Sequence, residues 1–159
     1  MEEFKINLLK EADKLYQRFE LSKNITPDYF EPGMMEYLDK SYGYFDEISS
    51  ELTLRFEAKG TRYDGRTEAI EKVQVGDTIK VERDKTNPYN HNNFMLLTAK
   101  GNNVGNMPAE LCNALAPLYD SSCLIFNQCS ASFVDPISKR NRYAKQAVLF
   151  VELKCKFLS

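Results

Sequence analysis

The sequence predicts a mostly β protein: a small antiparallel barrel of OB or SH3 type, carrying short helices and preceded by an α-helical segment. Three observations predict this class. Apolar residues recur every three to four positions near the start of the chain and then every second position from residue 52. Glycine, proline and asparagine clusters cut the later chain into short runs, as turns between strands do. One helical stripe near residue 110 follows several strands instead of alternating with them, which argues against an α/β sheet.

The elements follow in order. Phe4, Leu8, Ala12, Leu15 and Phe19 form one stripe at intervals of four and three, predicting a helix over 4–19. Thr26-Pro27-Asp28 is a helix-start signal, and Pro32-Gly33 a break. A second helix is expected over about 34–48, with Met35, Leu38, Tyr42, Phe45 and Ile48 inward, although Gly43 costs it ~1 kcal/mol relative to alanine. Two such amphipathic helices must dock on the rest of the chain, on each other or on a second subunit to cover their stripes. Leu52, Leu54, Phe56 and Ala58 alternate with polar residues and predict the first strand. A second strand is expected over Glu68–Val73 and a third over Thr78–Arg83, after the Gly76-Asp77 turn. Asn87-Pro88-Tyr89-Asn90 reads as a loop stiffened by proline. Phe94–Ala99 and Asn103–Asn106 are the next strands. Pro108 then opens a helix with Leu111, Leu115 and Leu118 on one side. Strands over Ser122–Phe133 and Tyr143–Phe157 close the chain, separated by the basic loop Pro136–Arg142.

Composition bounds the function classes. The chain has 159 residues, 43% of them hydrophobic, with 10 Phe, 9 Tyr and a net charge of −2, which fits one packed domain and not a disordered chain. It contains no run of ~18 apolar residues to span a membrane. The acidic opening MEEFKINLLKEADK does not resemble a signal peptide, so a soluble cytoplasmic protein is expected. Charge is uneven: residues 1–54 hold 6 Lys/Arg against 12 Asp/Glu, and residues 55–159 hold 15 against 11. This predicts an acidic helical segment over 1–50 and a barrel over 51–159, the latter suited to meeting a polyanion. Cys112, Cys123, Cys129 and Cys155 form no C-x-x-C pair, and the lone His91 is remote from all four, so no zinc site is expected and buried thiols are favoured over disulfides.

The ordered string Gly76-Asp77, Arg83, Asn87-Pro88-Tyr89-Asn90, Asn93-Phe94, Val104-Gly105-Asn106-Met107-Pro108 and Leu111–Leu118 resembles the HIRAN family, as does the earlier Gly60-Thr61-Arg62-Tyr63. The resemblance covers about residues 54–157. It implies a six-stranded barrel that binds the 3′ end of single-stranded DNA. An arginine and tyrosines hold backbone and bases there, an acidic residue meets the 3′-hydroxyl, and a His and a Lys complete the pocket. Carried over, Arg62, Tyr63 and Tyr89 match. Asn90 stands where the DNA-binding form has Asp, Asn106 where it has His, Ala109 where it has Lys, and Asp64 where it has a second tyrosine.

Apart from the family, a sequence-tolerant single-strand site needs cations for phosphates and aromatic faces for bases. Arg62, Tyr63 and Tyr89 supply both at loop edges; the alternative is that these tyrosines cap the barrel rim. Lys139, Arg140, Arg142 and Lys145 form a secondary basic cluster that either extends a phosphate-binding face or is a solvated turn. No catalytic motif is present: His91 has no acidic partner nearby in sequence, and Gly101–Gly105 lacks the Lys-Ser/Thr of a phosphate loop. The expected function is therefore a non-catalytic, cofactor-free nucleic-acid-binding module in DNA repair or processing. A protein-interaction module recruiting a partner or second subunit through residues 1–50 is the alternative. A metal-dependent nuclease using Asp64, Glu68 and Glu71 is the weakest reading.

Overall fold

The computed structural model describes residues 2–22, 41–63, 65–136 and 146–158. Helix α1 (Glu2–Ser22) leads, followed by strands β1 (Tyr42–Asp46) and β2 (Glu51–Glu57), the short helix α2 (Arg66–Ile70), and strands β3 (Ile79–Asp84), β4 (Asn93–Thr98) and β5 (Asn103–Asn106). Helix α3 (Ala109–Asp120) and strands β6 (Leu124–Asp135) and β7 (Val148–Phe157) complete it. No described helix is long and apolar enough to cross a membrane.

The six-stranded closed barrel is not what forms. Among the described residues seven strands lie in two antiparallel sheets, one ordered β1-β2-β7-β6 and the other β3-β4-β5. The sheets meet edge to edge at two isolated bridges, Lys59 with Asn106 and Thr78 with Ser130. At the first, the Lys59 amide donates to the Asn106 carbonyl at 2.8 Å, and the Asn106 amide returns a bond to the Lys59 carbonyl at 2.9 Å. Both are single contacts rather than ladders, so this arrangement of the described strands is a two-sheet, OB-like fold without a continuous barrel wall.

The alternation in β2 sends Leu52, Leu54 and Phe56 into the core, and β7 matches them in that order through Cys155, Leu153 and Val151 in antiparallel register. Leu8, Ala12 and Leu15 of α1 belong to the same buried cluster, so this helix docks on its own chain. Phe4, expected in that stripe, is 38% exposed. The side chain of Phe19 lies outside the described residues.

Two elements differ from expectation. The helix over 34–48 does not form where it can be seen: 42–46 is strand β1, paired along β2 from Tyr42 opposite Arg55 to Asp46 opposite Glu51. The reason is visible at Gly43, whose missing Cβ would fall 2.4 Å from the Ala12 carbonyl oxygen; α1 crosses β1 backbone to backbone. A strand also places Tyr42 and Phe45, three apart, on opposite faces. Phe45 packs edge-on against Phe157. Tyr42 bonds Glu152 and sits 5.6 Å from the Arg55 guanidinium carbon. Ile48, expected inward, is 99% exposed in the turn. Met35 and Leu38, like the Thr26-Pro27 helix start, lie outside the described residues. The strand expected over Glu68–Val73 is instead α2 and the turn after it. Ile70 and Val73 are both buried, and a helical spacing of three brings them to one side, where a strand would oppose them.

All four cysteines are thiols rather than disulfides; Cys112, Cys129 and Cys155 are buried.

Candidate nucleic-acid interface

The turn that follows β2 carries the first group of side chains. Thr61, buried at 3%, donates its hydroxyl to the Ala147 carbonyl at 2.8 Å, and Thr67 donates its hydroxyl to the Thr61 carbonyl at 2.7 Å. These bonds tie the turn to the start of β7 and to α2, leaving Arg62 and Tyr63 facing solvent. The Arg62 guanidinium carbon sits 4.8 Å from the Tyr63 ring centroid, and its Nη2 donates to the phenol oxygen of Tyr63. A guanidinium lying over an aromatic face is a stable cation–π pair, and it holds one cation and one π-surface together at the surface.

Around Gly60 Tyr63 meets two further groups. The point where a Gly60 Cβ would stand is 2.8 Å from Arg66 Nη1, 3.5 Å from Asn106 Nδ2 and 3.7 Å from Tyr63 Cδ2. Gly60 has φ +69°, so the turn needs glycine both for its backbone and for this space. Arg66 Nη1 donates to the Gly60 carbonyl at 3.1 Å, while its Nε–H is buried with no acceptor among the described residues. The sequence does not distinguish Arg66 from the other arginines. The signal available was a second arginine four positions after Arg62, across Gly65, but only the fold turns it toward Asn106.

Tyr89 and Asn90 come from the loop between β3 and β4. Tyr89 is 95% exposed. Its amide and that of Asn90 both donate to Asn87 Oδ1, at 2.9 and 3.1 Å, closing the loop into an Asx turn that Pro88 supports. Asn90 is held at both ends of its side chain: its Oδ1 accepts the Asn92 amide at 2.9 Å and its Nδ2 donates to Asn113 of α3 at 3.1 Å. Arg83 braces the same loop. It donates to the carbonyls of His91 and Asn93 at 2.7 and 3.1 Å and forks onto both carboxylate oxygens of Asp120 at 3.0 Å. That guanidinium, bonded directly to the carboxylate, holds the Asp120 carboxyl below the usual range against a small opposing effect of burial.

A relay of side-chain amides joins the loop to the turn. Asn87 Nδ2 and Asn93 Nδ2 both donate to Asp84 Oδ2, at 3.2 and 3.1 Å. Asn93 Nδ2 also donates to Asn106 Oδ1 at 3.1 Å. The direction of this relay is fixed by chemistry. A carboxylate only accepts, so Asp84 demands the nitrogen of Asn93; Asn93 then demands the oxygen of Asn106. The amide nitrogen of Asn106 is thereby left facing Gly60.

The structure thus brings Arg62, Tyr63 and Asn106 together, adds Arg66, and links Tyr89 and Asn90 to them through the relay; no direct contact between Tyr89 and Arg62 or Tyr63 is seen. Ala109 is exposed at the start of α3. Asp64 and the basic residues Lys139, Arg140, Arg142 and Lys145 lie outside the described residues. His91 places Nδ1 3.2 Å from the Lys85 carbonyl. Among the described residues no three His, Cys, Asp or Glu side chains lie close enough to hold a metal ion.

The HIRAN domain model matches residues 52–154. The chain belongs to the HIRAN domain family. Among solved structures it is similar to the crystal structure of the HIRAN domain of human HLTF, at 24% identity and TM-score 0.47 over 65% of this chain and 76% of that one. A protein from Lactobacillus plantarum is similar at 16% identity and TM-score 0.50, over 65% of this chain and 97% of that one. The HLTF HIRAN domain in its DNA-bound conformation is similar at 21% identity and TM-score 0.44, over 79% of this chain and 85% of that one. No curated protein matches. The family match leaves α1 and β1 outside it, although both pack into the same core.

Proposed function

We propose that this chain is a non-catalytic nucleic-acid-binding module that holds single-stranded DNA, or the 3′ end of a DNA strand, in DNA repair or processing. The observation that carries the reading is the combination of the Arg62–Tyr63 pair with the nearly fully exposed Tyr89 ring, on two turns linked by one amide relay. The Tyr89 ring, 95% exposed, stands on a loop whose backbone is fixed by hydrogen bonds, which holds its faces open to a partner. Bases can stack on it, and the adjacent guanidinium meets their phosphates. A member of the family, the HIRAN domain of human HLTF, has a DNA-bound conformation.

The test is a fluorescence-anisotropy titration with single-stranded oligonucleotides at two salt concentrations. Binding should weaken as salt rises, and Arg62→Ala should flatten the log–log slope by ~0.7, the value for one phosphate contact on a single strand. Tyr89→Ala should weaken binding by ~1–3 kcal/mol, roughly 5- to 150-fold, while leaving thermal stability unchanged. Absence of binding at low salt, or affinity untouched by both substitutions, rejects the reading.

One observation favours a second reading, a protein-interaction module. Tyr16 and Tyr44, 42% and 57% exposed, line a hollow with Tyr42, Thr53, Glu152 and Lys154 where α1 meets the β1 edge of the larger sheet. Tyrosine-rich hollows of this kind suit a protein partner.

A further inference from the structure

We propose that the groove between α1 and the outer edge of β1 takes an extended, cationic peptide segment of a partner protein, which adds to the larger sheet as a further strand. The inference stands apart from the nucleic-acid reading and specifies the partner that the hollow at Tyr16 and Tyr44 fits.

Two hollows, of about 390 and 420 Å³, share Tyr16 and Tyr44 and so form one groove. Leu9, Ala12, Asp13 and Tyr16 line one wall at i, i+3, i+4 and i+7, a single face of α1. Gly43, Tyr44 and Phe45 line the other. Successive side chains of a strand point to opposite faces, so a hollow touched by three consecutive residues meets β1 along its edge. α1 does not cover that edge. Gly43 pairs with Leu54, whose side chain is in the core, so the close approach of Ala12 to Gly43 lies on the core face of the sheet. β1 is the outermost strand of its sheet, and beyond the sheet ladder no backbone bond joins 43–46 to another described residue. Such an edge is a template for one more strand.

The side chains specify what that strand carries. Tyr16 and Tyr44 are 42% and 57% exposed, and among the described residues neither phenol has a hydrogen-bond partner. The charged groups lining the groove are Asp13, Glu47 and Glu152 against Lys154. Glu152 is bonded by Tyr42, and Asp13 accepts Gln17 Nε2 at 2.8 Å. The exposed Glu47 has no ion-pair partner among the described residues. Lys5 of α1 is turned onto the Phe45 and Phe157 rings, 5.7 and 4.9 Å from their centroids. The groove is therefore acidic and aromatic. A second copy of this chain would bring the same excess of carboxylates to its own edge, whereas a segment bearing Arg or Lys is attracted. Arginine also stacks on tyrosine faces. α1 and β1 both lie outside residues 52–154, the part matched by the family model, so this edge belongs to elements added to the family's domain.

The experiment titrates the full chain with a blocked heptapeptide of alternating arginine and valine, followed by NMR. The amides of 43–46 should shift to saturation, and their hydrogen exchange should slow. The same peptide with glutamate for arginine should bind about tenfold or more weakly. Two further peptides carry N-methyl groups on alternate amides, one on the odd and one on the even positions. A strand offers only one of its edges to β1, so one of the two should lose about tenfold or more in affinity, as for the loss of two or three hydrogen bonds, and the other should retain binding. Tyr44→Ala and Glu47→Gln, both at exposed positions, should each weaken binding about two- to fivefold. Unmoved signals at 43–46, equal binding of the glutamate peptide, or indifference to both methylation patterns overturns the proposal. Sedimentation at rising protein concentration tests the second copy. A dimer that Tyr44→Ala abolishes assigns the edge to self-association and overturns it as well. Arg62→Ala should leave peptide binding unchanged, so this proposal and the nucleic-acid reading fail separately.

Discussion

Gly105→Ala should destabilise the protein by about 2–4 kcal/mol, because Gly105 sits where the two sheets touch. Its φ is +138°, and an L-residue held there costs of order 1–3 kcal/mol. The added Cβ would stand 2.8 Å from the Lys59 carbonyl oxygen and 3.1 Å from the Ala58 Cβ. Neither neighbour is the free end of a flexible side chain, so the sheets must part. The two bonds between Lys59 and Asn106, at 2.8 and 2.9 Å, then lengthen, and each is worth ~0.5–1.5 kcal/mol net. Gly76→Ala is the control: its φ is +95°, but nothing lies within 4 Å of the new Cβ. It should incur the conformational cost alone. Urea denaturation with linear extrapolation measures both variants, and hydrogen exchange at the Lys59 and Asn106 amides should accelerate only in the first. A Gly105→Ala variant within about 0.5 kcal/mol of Gly76→Ala would show that the close approach of the sheets is not what this glycine serves.

Other perturbations test the bracing of the site. Asn93→Ala removes a buried side chain, 6% exposed, that donates to Asp84 and Asn106; a loss of ~1–3 kcal/mol in a denaturant titration is expected, together with a changed Asn106 side-chain NMR signal. The Asp120 carboxyl is held low by Arg83, so the contribution of that pair is present above the unfolded value of ~3.9 and is lost as pH falls through the lower folded value. The stability gap between wild type and Asp120→Asn should therefore be ~0.5–1 kcal/mol near neutral pH, discounted for solvent screening, and should close in acid; a gap that stays constant between about pH 7 and pH 2.5 would contradict it. Burial pushes the Cys112 thiol up to about 11 and the Cys129 thiol up to about 12, and raises that of Cys155 as well. A thiol reagent at pH 8 should therefore modify the half-buried Cys123 first, and the other three only on unfolding; early labelling of Cys129 or Cys155 would show that the β6–β7 face opens.

The strands that alternate in sequence form where the alternation places them. Leu52, Leu54 and Phe56 are buried because period two is also the geometry of a strand with one face in the core. Asn103–Asn106 forms β5, and Leu111, Leu115 and Leu118 are buried along α3. Short apolar runs are where this reading fails. Glu68–Val73 is too brief for its period to separate helix from strand, and the covering of Ile70 and Val73 settles it as α2. Tyr42–Asp46 carries spacing that also suits a helix, and it becomes a strand because the β2 edge offers a ladder and α1 needs the flat backbone at Gly43.

By itself the sequence determined the antiparallel β class, the late helix, the family string and the three exposed candidates Arg62, Tyr63 and Tyr89, since periodicity, turn residues and motif order are local properties of the chain. Only the tertiary structure decided that two sheets meet at single bridges, that α1 docks on its own chain, and that Arg66 and the amide nitrogen of Asn106 converge beside Gly60. The physical reason is that hydrogen-bond direction passes through space rather than along the chain. The orientation of Asn106 is dictated by Asp84, 22 positions earlier, through Asn93 on the neighbouring strand.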